Sequence, residues 1–219
     1  MPSIMRESYK NKRELIAHVI GPDDTVLDIG FWGQGKSYGN KDWPHALIQE
    51  RAKETWGIDL AYDESAVGNP ARYRHASAES FDLPQAFDII FAGDIIEHLP
   101  NPGLFLDSAR RHLKPRGRLV LTTPNTFHLF NLTEKLTKRE PTVNSDHTCY
   151  FNTKTIRQLL KKTGYSVHGF SYLYTLDSEY RQSLKKRLLN VLYRALSWRT
   201  TKFLETLVVV AVPDAASPE

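Results

Sequence analysis

Residues 25–37 read TVLDIGFWGQGKS, and this stretch decides the fold. Its apolar start, Thr25 to Ile29, predicts a short buried strand, and a glycine-rich loop follows it directly. Helical periodicity resumes at Pro44 and continues to about Lys53. Because α/β sheets bind their ligands beyond the carboxyl ends of the strands, this loop is the first place to expect a binding site.

The alternation of strand and helix patterns continues through most of the chain. Further apolar runs predict strands at 55–60, 71–76, 87–92, 118–123, 165–174 and 206–212. Helical spacing predicts helices at 6–19, 102–113 and 153–163. Short apolar strands that alternate with helices are typical of a parallel sheet covered on both faces.

Length and composition restrict the class of protein. The 219 residues are 41% hydrophobic and 25% charged, which predicts one globular domain over residues 1–219. The single cysteine, Cys149, excludes an internal disulfide framework and a cysteine-based zinc cluster. The chain has no apolar run of ~18 residues, and its charged start does not resemble a signal peptide. We therefore expect a cytoplasmic protein.

The net charge of +4 conceals an uneven distribution. Residues 181–202 hold seven basic and no acidic residues, so the remainder has 29 − 7 = 22 basic against 25 acidic residues. A general nucleic-acid coat is therefore not expected. The segment predicts a basic helix that either packs on the sheet with a solvated face or contacts an anionic membrane, a lipid-linked substrate or RNA. Membrane contact would make the protein peripheral to the membrane.

The glycine-rich loop matches two nucleotide-binding motifs in part. Gly30 to Ser37 fits G-x-x-x-x-G-K-S, the phosphate loop of nucleotide hydrolases. That motif requires a helix to begin at Lys36, but Gly39 and Pro44 disfavour a helix there. The dinucleotide motif G-x-G-x-x-G fits less well, because Tyr38 occupies the place of its last glycine. The phosphate-loop hydrolase remains as the alternative.

Two acidic residues favour a different ligand. Asp28 lies two residues before Gly30 at the end of the first strand, where a carboxylate suits a positive amino group and would repel a polyphosphate. Asp59 ends the next strand and can accept hydrogen bonds from two ribose hydroxyls. Together they predict a nucleoside that carries an amino acid. The simpler interpretation of each is a capping or turn residue.

Six segments in chain order carry a family resemblance. They are VLDIG (26–30), GIDL (57–60), HASAESFDL (75–83), FDIIFAGDIIEHLPNPGLFL (87–106), LKPRGRLVLTTPN (113–125) and DHTCYFNTKTIRQLLKKTGY (146–165). The first five resemble the class I S-adenosylmethionine-dependent methyltransferases, and the last resembles a segment of small-molecule and glycan methyltransferases. The resemblance covers about residues 24–175. It implies a Rossmann-like, doubly wound sheet of seven strands, mostly parallel, with the last strand antiparallel.

The resemblance also implies a cofactor site for S-adenosylmethionine within a core at 24–125. The residues at the matching positions are Asp28, Gly30, Phe31, Gly33, Asp59, Leu60, Ser77, Ala78 and Gly93. Two positions depart from the family pattern. Trp32 stands at the second glycine place, so that Gly33 comes one residue late. HASAESFDL (75–83) resembles the adenine-binding segment of the family, and Ser77 stands where an aspartate is common in it.

Methyl transfer to a hydroxyl requires alignment of the acceptor and removal of a proton. The candidate catalytic residues are Asp94, His98 and His147. Asp94, Glu97 and His98 have the i, i+3, i+4 spacing that predicts one face of a helix. His147 lies in the segment 126–150, which we expect to cover the active site as a lid.

The same residues allow a metal site. Asp94, Glu97, His98 and His147 could hold a divalent metal, an arrangement similar to that of metal-dependent small-RNA 2′-O-methyltransferases and some ubiquinone-pathway O-methyltransferases. The favoured interpretation has no metal: Glu97 and His98 satisfy one another and line the pocket wall. A separate interpretation makes His147 or His98 the base.

The resemblance therefore implies an enzyme that O-methylates a hydroxyl of a sugar, a glycan or another small metabolite, mainly through the segments VLDIGFWGQG and DHTCYF. Nucleic acid is not expected as a partner. The alternatives are a metal-assisted RNA 2′-O-methyltransferase, the phosphate-loop hydrolase at Gly30 to Ser37, and a methyltransferase-like binding protein without catalysis.

Overall fold

The computed structural model describes residues 5–33, 38–40, 42–137, 144–174 and 200–214, apart from the side chain of Phe130. The helices are α1 (Lys12–Val19), α2 (Pro44–Gln49), α3 (Pro102–Arg111), α4 (Leu129–Thr137) and α5 (Thr153–Lys162). The strands are β1 (Ser8–Tyr9), β2 (Thr25–Ile29), β3 (Glu54–Asp59), β4 (Tyr73–His75), β5 (Phe87–Gly93), β6 (Leu113–Pro124), β7 (Tyr165–Leu173) and β8 (Thr206–Pro213).

The strands form one sheet in the order β1-β7-β8-β6-β5-β2-β3-β4. All neighbouring strands are parallel except those that pair with β8, which is antiparallel to both β6 and β7. The predicted doubly wound, mostly parallel sheet with an antiparallel last strand is confirmed.

The predicted count of seven strands is wrong by one, because the start of the chain adds β1 at the edge. Ser8 and Tyr9 pair with the end of β7, and Tyr9 is buried. The helix predicted at 6–19 begins only at Lys12. Asn11 sets this start, because its side chain accepts a hydrogen bond from the backbone N–H of Glu14 at 2.8 Å and so caps the helix.

The alternation of side chains along β2 divides the core into two layers. Leu27 and Ile29 pack in the layer that contains residues of α3 and α5. Val26 faces the opposite side, where residues of α1 and α2 cover the sheet. Asp28 shares the face of Val26, because side chains of a strand alternate with a period of two. Side chains from the first turns of α1 and α2 can therefore reach Asp28.

The crevice for a ligand lies where the strand order reverses. β2 pairs with β3 on one side and with β5 on the other, so the chain winds outward from β2 in both directions. In such sheets the switch point leaves an open crevice beyond the strand ends. Asp28 of β2 and Gly93 of β5 border it.

Some predictions fall on residues outside the described ranges. Lys36 and Ser37 of the phosphate-loop motif do, as do residues 181–199 of the predicted basic helix and 138–143 of the predicted lid. Within the described part of that lid, residues 129–137 form α4. None of the described helices has both the length and the apolar character that crossing a bilayer requires.

Candidate active site

An open cleft lies at the switch point. It is lined by Lys12, Asp28, Ile29, Gly30, Phe31, Gly33, Trp43, Pro44, Phe91 and Gly93. Five of the predicted cofactor residues are thus brought together there, namely Asp28, Gly30, Phe31, Gly33 and Gly93.

The turn after β2 depends on glycine. Gly30 has a φ of +72°, and a Cβ atom at this position would lie 2.1 Å from Cδ1 of Ile95. Gly33 has a φ of +55°, so it also uses the left-handed region although it comes one residue later than the family pattern has it. Between them, Phe31 is buried against the Tyr73 ring at 5.0 Å between centroids. The loop backbone therefore passes close to the cleft.

Asp28 lies in the floor of the cleft and is only 3% exposed. Its Oδ2 atom is 2.9 Å from Nδ1 of His45, which is itself buried. Burial raises the pKa of the Asp28 carboxyl group, while the hydrogen bond with His45 and the charge of Lys12 act against this rise. Neither His45 nor Lys12, which lie in the first turns of α2 and α1, is predicted from the sequence.

Asp59 holds the loop together. Its two carboxylate oxygens accept hydrogen bonds from the backbone N–H groups of Trp32 at 3.0 Å and Ala61 at 3.3 Å. Asp59 thus acts as a turn residue, which is the simpler interpretation of its place in the sequence. The adjacent Leu60 is 76% exposed.

The predicted adenine segment follows β4, next to the end of β3. The backbone N–H of Ala76 donates to the carbonyl of Asp59 at 3.0 Å, which brings the two segments together. The hydroxyl oxygen of Ser77 accepts from the N–H of Glu79 at 3.2 Å, and Ala78 packs against the core. These residues lie beyond the lining of the cleft, on the β3–β4 side.

The prediction that Asp94, Glu97 and His98 share one helical face is wrong. Asp94 has a φ of +57°, and Ile96–His98 form a single 3₁₀ turn. The Asp94 carboxylate accepts from Nζ of Lys12 at 2.7 Å and from the Thr122 hydroxyl at 2.8 Å. Desolvation opposes its ionisation, but the ion pair with Lys12 prevails and lowers the pKa of Asp94.

Glu97, His98 and His147 form a compact cluster beside the cleft. One ligand atom from each lies within 4.8 Å of the others. The two imidazole rings meet edge to face with centroids 4.6 Å apart. The segment that carries His147 is held in place because the carbonyl of Glu97 accepts hydrogen bonds from the N–H groups of Thr148 at 2.8 Å and Cys149 at 3.2 Å.

The cluster contains an unusual carboxyl group. Glu97 is 2% exposed, and its Oε2 accepts from the Thr123 hydroxyl at 2.9 Å. Its Oε1 is buried and has no hydrogen-bond partner among the described residues. Burial, helped by the charge of Asp94, raises the pKa of Glu97 to about 8. Desolvation and the nearby His98 lower the pKa of His147, which favours its neutral form.

This cluster also has donors that fit a divalent metal. A buried carboxylate oxygen with no partner in the described part of the chain and two imidazoles within 4.8 Å provide three ligands. Asp94, the fourth ligand that the sequence suggested, is engaged by Lys12 and Thr122 instead.

The fold and the site together define a class of protein. A doubly wound sheet with an antiparallel β8, a glycine turn after β2 and acids at the ends of β2 and β3 are the features of a class I methyltransferase. A family model described as a methyltransferase domain matches residues 2–168. The chain belongs to this methyltransferase family, and S-adenosylmethionine is its cofactor.

Relatives with curated descriptions agree with this assignment. A probable S-adenosylmethionine-dependent methyltransferase of Mycolicibacterium smegmatis is 28% identical over 76% of this chain and 63% of its own length. A ubiquinone biosynthesis O-methyltransferase of Pseudomonas paraeruginosa is 32% identical over 46% of this chain and 44% of its own. The chain thus spans less than two thirds of the length of either relative.

Solved structures share the fold at low sequence identity. A Burkholderia thailandensis 1,6-didemethyltoxoflavin-N1-methyltransferase with bound S-adenosylhomocysteine has a TM-score of 0.60 and 15% identity, over 93% of this chain and 79% of the other. The [4+2]-cyclase SpnF has a TM-score of 0.58 and 14% identity, over 93% and 81%. The phosphate-loop interpretation is not supported, because the family is a methyltransferase family and the first described helix after the loop begins at Pro44.

Proposed function

We propose that the protein O-methylates a hydroxyl group of a sugar, a glycan or another small metabolite, with His147 or His98 as general base. The observation that carries this proposal is the contact of the two imidazole rings, 4.6 Å apart, against the buried Glu97 directly after β5. A hydroxyl acceptor needs a proton acceptor of this kind, whereas an acceptor that is already a strong nucleophile does not.

The cleft suits the amino acid end of the proposed methyl donor. Asp28 offers a carboxylate at its floor, and Lys12 adds an ammonium group at the same end. An α-amino acid carries one positive and one negative group, so it matches this pair of charges. At the other end, we propose that Asp59 holds the ribose and that the segment from Ser77 to Ala78 lies against the adenine ring. The hydrogen bond from the N–H of Ala76 to the carbonyl of Asp59, which joins the two segments, supports this proposal.

Bound S-adenosylmethionine supplies a methyl carbon that is electrophilic because it is attached to a sulfonium sulfur. The protein must hold the acceptor oxygen in line with that carbon and take up the hydroxyl proton. His147 is suited to the second task, because its lowered pKa keeps one ring nitrogen free to accept a proton near neutral pH. His98 lies against the same ring and could take this role in its place.

The class of acceptor is supported by the relatives. The Pseudomonas paraeruginosa relative is named for O-methylation in ubiquinone biosynthesis, and it matches 46% of this chain. A hydroxyl acceptor agrees with that name and with the histidine pair.

We propose that the segment 126–150 covers the acceptor. The exposed rings of Phe127 and Tyr150 lie in this segment.

The test is methyl transfer from S-adenosyl-[methyl-³H]methionine to a panel of acceptors. The panel should contain nucleotide sugars, lipid-linked sugars, catechols, amines and a short RNA. Transfer to one of the hydroxyl compounds, with loss of transfer in His147→Ala or His98→Ala, is the expected result. Transfer to amines alone would contradict the proposal, and so would a rate unchanged by both substitutions.

A metal-assisted transfer is the second candidate. It is favoured by the three ligand atoms of Glu97, His98 and His147 within 4.8 Å and by Oε1 of Glu97, to which no side chain or backbone group of the described ranges donates. In that case these residues would hold the ion, and the ion would lower the pKa of the acceptor hydroxyl.

A further inference from the structure

A chain of hydrogen bonds runs beneath the cleft and ends on Asp28. Nε2 of Gln49 donates to the hydroxyl oxygen of Tyr73 at 2.9 Å. That hydroxyl lies 2.9 Å from Nε2 of His45, and Nδ1 of His45 lies 2.9 Å from Oδ2 of Asp28. His45 is 1% exposed, so bulk water does not replace either of its two partners.

The donors and acceptors fix the direction of this chain. Gln49 occupies one lone pair of the Tyr73 oxygen, which leaves the hydroxyl proton to be donated to Nε2 of His45. A neutral His45 then carries its own proton on Nδ1 and donates it to Asp28. The carboxylate thus receives a donor on Oδ2, while the other oxygen is left for a ligand in the cleft.

Asp28 needs such a donor because of its surroundings. Tyr73 and His45 lie on one side of it, Lys12 acts on it from α1, and the negative Asp59 follows the neighbouring strand. Burial and Asp59 both raise the pKa of Asp28, whereas His45 and Lys12 oppose this. Lys12 is already paired with Asp94 at 2.7 Å, so His45 is the partner in direct contact.

We propose that His45 is a positioning residue for the methyl donor: its Nδ1–H group holds the Asp28 carboxylate in the orientation that receives the amino group of the cofactor. This inference rests on the role proposed above for Asp28. His45 itself does not touch the reacting atoms, since Asp28 lies between it and the cleft. The effect should therefore appear in binding of the amino acid end of the cofactor and not in binding of its nucleoside end.

The test compares two ligands by calorimetric titration. S-Adenosylhomocysteine carries the amino acid end, and 5′-methylthioadenosine has the same nucleoside without it. The matched variants are His45→Gln and His45→Asn, both polar and neutral. The asparagine amide lies near the place of Nδ1 and can still donate to Asp28, whereas the glutamine amide lies near the place of Nε2 and meets Tyr73 instead.

We expect H45Q to weaken S-adenosylhomocysteine binding by at least about tenfold, the size of a lost hydrogen bond to a charged group. Binding of 5′-methylthioadenosine by H45Q should stay within about threefold of the unchanged protein. H45N should bind both ligands within about threefold, because it keeps the donor to Asp28. Equal affinities of H45Q and H45N for S-adenosylhomocysteine would overturn the inference, and so would an equal loss of both ligands in H45Q.

The variant Asp28→Asn separates this inference from the proposal on which it rests. If D28N keeps the preference for S-adenosylhomocysteine over 5′-methylthioadenosine, the role of Asp28 in binding the amino group is wrong. If D28N loses the preference and H45Q keeps it, only the inference about His45 is wrong. A loss in both D28N and H45Q, with retention in H45N, supports both.

Discussion

Two buried carboxyl groups lie on either side of the switch point, and their surroundings differ. Asp28 at the end of β2 is 3% exposed, and Glu97 just beyond β5 is 2% exposed. Asp28 receives a hydrogen bond from His45 and feels the charge of Lys12. Glu97 has a hydroxyl donor on one oxygen and no partner on the other among the described residues.

The difference separates a binding group from a group placed beside the chemistry. A carboxylate that is supported by donors is prepared to stay charged and to hold a cation in one position. A buried carboxyl with a pKa of about 8 keeps its proton at neutral pH and gives it up readily when a base or a metal is close. We therefore expect changes near Asp28 to alter binding and changes near Glu97 to alter turnover.

The largest expected effect tests the expectation that changes near Glu97 alter turnover. His147→Ala should lower kcat by about 10²–10⁴-fold, the usual contribution of a general base, while the Kd for S-adenosylhomocysteine changes less than about twofold. The rate is measured with the acceptor found in the labelled-methyl screen.

The exposed His168 on β7 provides the control, since His168→Ala should leave both quantities unchanged. A comparable loss in His98→Ala with none in His147→Ala would move the base to the neighbouring ring. If neither variant loses activity, the expectation that the region around Glu97 serves turnover is wrong.

The next effect tests a carboxylate that is proposed to bind the cofactor. Asp59→Ala should weaken S-adenosylhomocysteine binding by about 5–150-fold, or roughly 1–3 kcal/mol, because it removes the proposed ribose acceptor and the acceptor for the Trp32 N–H group. Calorimetric titration measures the change. Asp63→Ala is the matched control, because this exposed aspartate caps only a nearby turn through Ser65. Unchanged binding in D59A would refute its ribose role.

A smaller effect concerns the pH dependence of stability. The pKa of Glu97 is raised from 4.5 to about 8 in the folded protein, so the folded state binds the proton more tightly than the unfolded state. This contribution to stability is fully present below about pH 4.5 and is lost as the pH rises towards 8. Between these limits the slope approaches about 1.4 kcal/mol per pH unit, the value for one proton.

Urea unfolding at several pH values, with a chelator present, measures this slope. Glu97→Gln cannot titrate, so its stability should vary less with pH than that of the unchanged protein. Asp28 also has a raised pKa and changes the stability with pH in the same direction, but it is present in both proteins. The difference between the two curves of stability against pH therefore isolates the contribution of Glu97. Parallel curves would show that Glu97 keeps an ordinary pKa.

The smallest expected effect is that of chelation. With a histidine as base, EDTA should change the turnover rate by less than about twofold. Loss of turnover that Mn²⁺ or Zn²⁺ restores, with S-adenosylhomocysteine affinity intact, would instead establish the metal-assisted candidate. Glu97 would then hold a cation as Asp28 is proposed to do. The contrast between a carboxylate for binding and a carboxyl group beside the chemistry would no longer apply.

The parts of the site that were predictable follow from local patterns. The strand before the loop, Gly30 with its positive φ, and the acids at positions 28 and 59 all belong to short segments in which backbone geometry restricts the sequence. The apolar runs placed the main strands for the same reason. Strand alternation also puts Asp28 and Val26 on one face, although the sequence does not say which helices cover that face.

The parts that were missed depend on contacts between distant segments. Lys12 meets Asp94 across 82 positions, and His45 meets Asp28 across 17 positions, without a local pattern that marks either pair. The 3₁₀ turn at Ile96–His98 replaced the expected helix because Asp94 takes a left-handed conformation held by Lys12 and Thr122. β1 was missed because two residues are too few to give a periodic signal.

The position of β8 has a consequence for how the protein is assembled during translation. β7 and β1 reach the rest of the sheet only through β8, which is synthesised after every other described strand. Until residues 206–213 leave the ribosome, β2, β3, β4, β5 and β6 can form one sheet while β7 and β1 lie outside it. Since α1 packs directly on the face formed by β2, β5 and β6, Lys12 can take its place beside Asp94 before β8 forms, whereas β1 joins the sheet only together with β7 and β8.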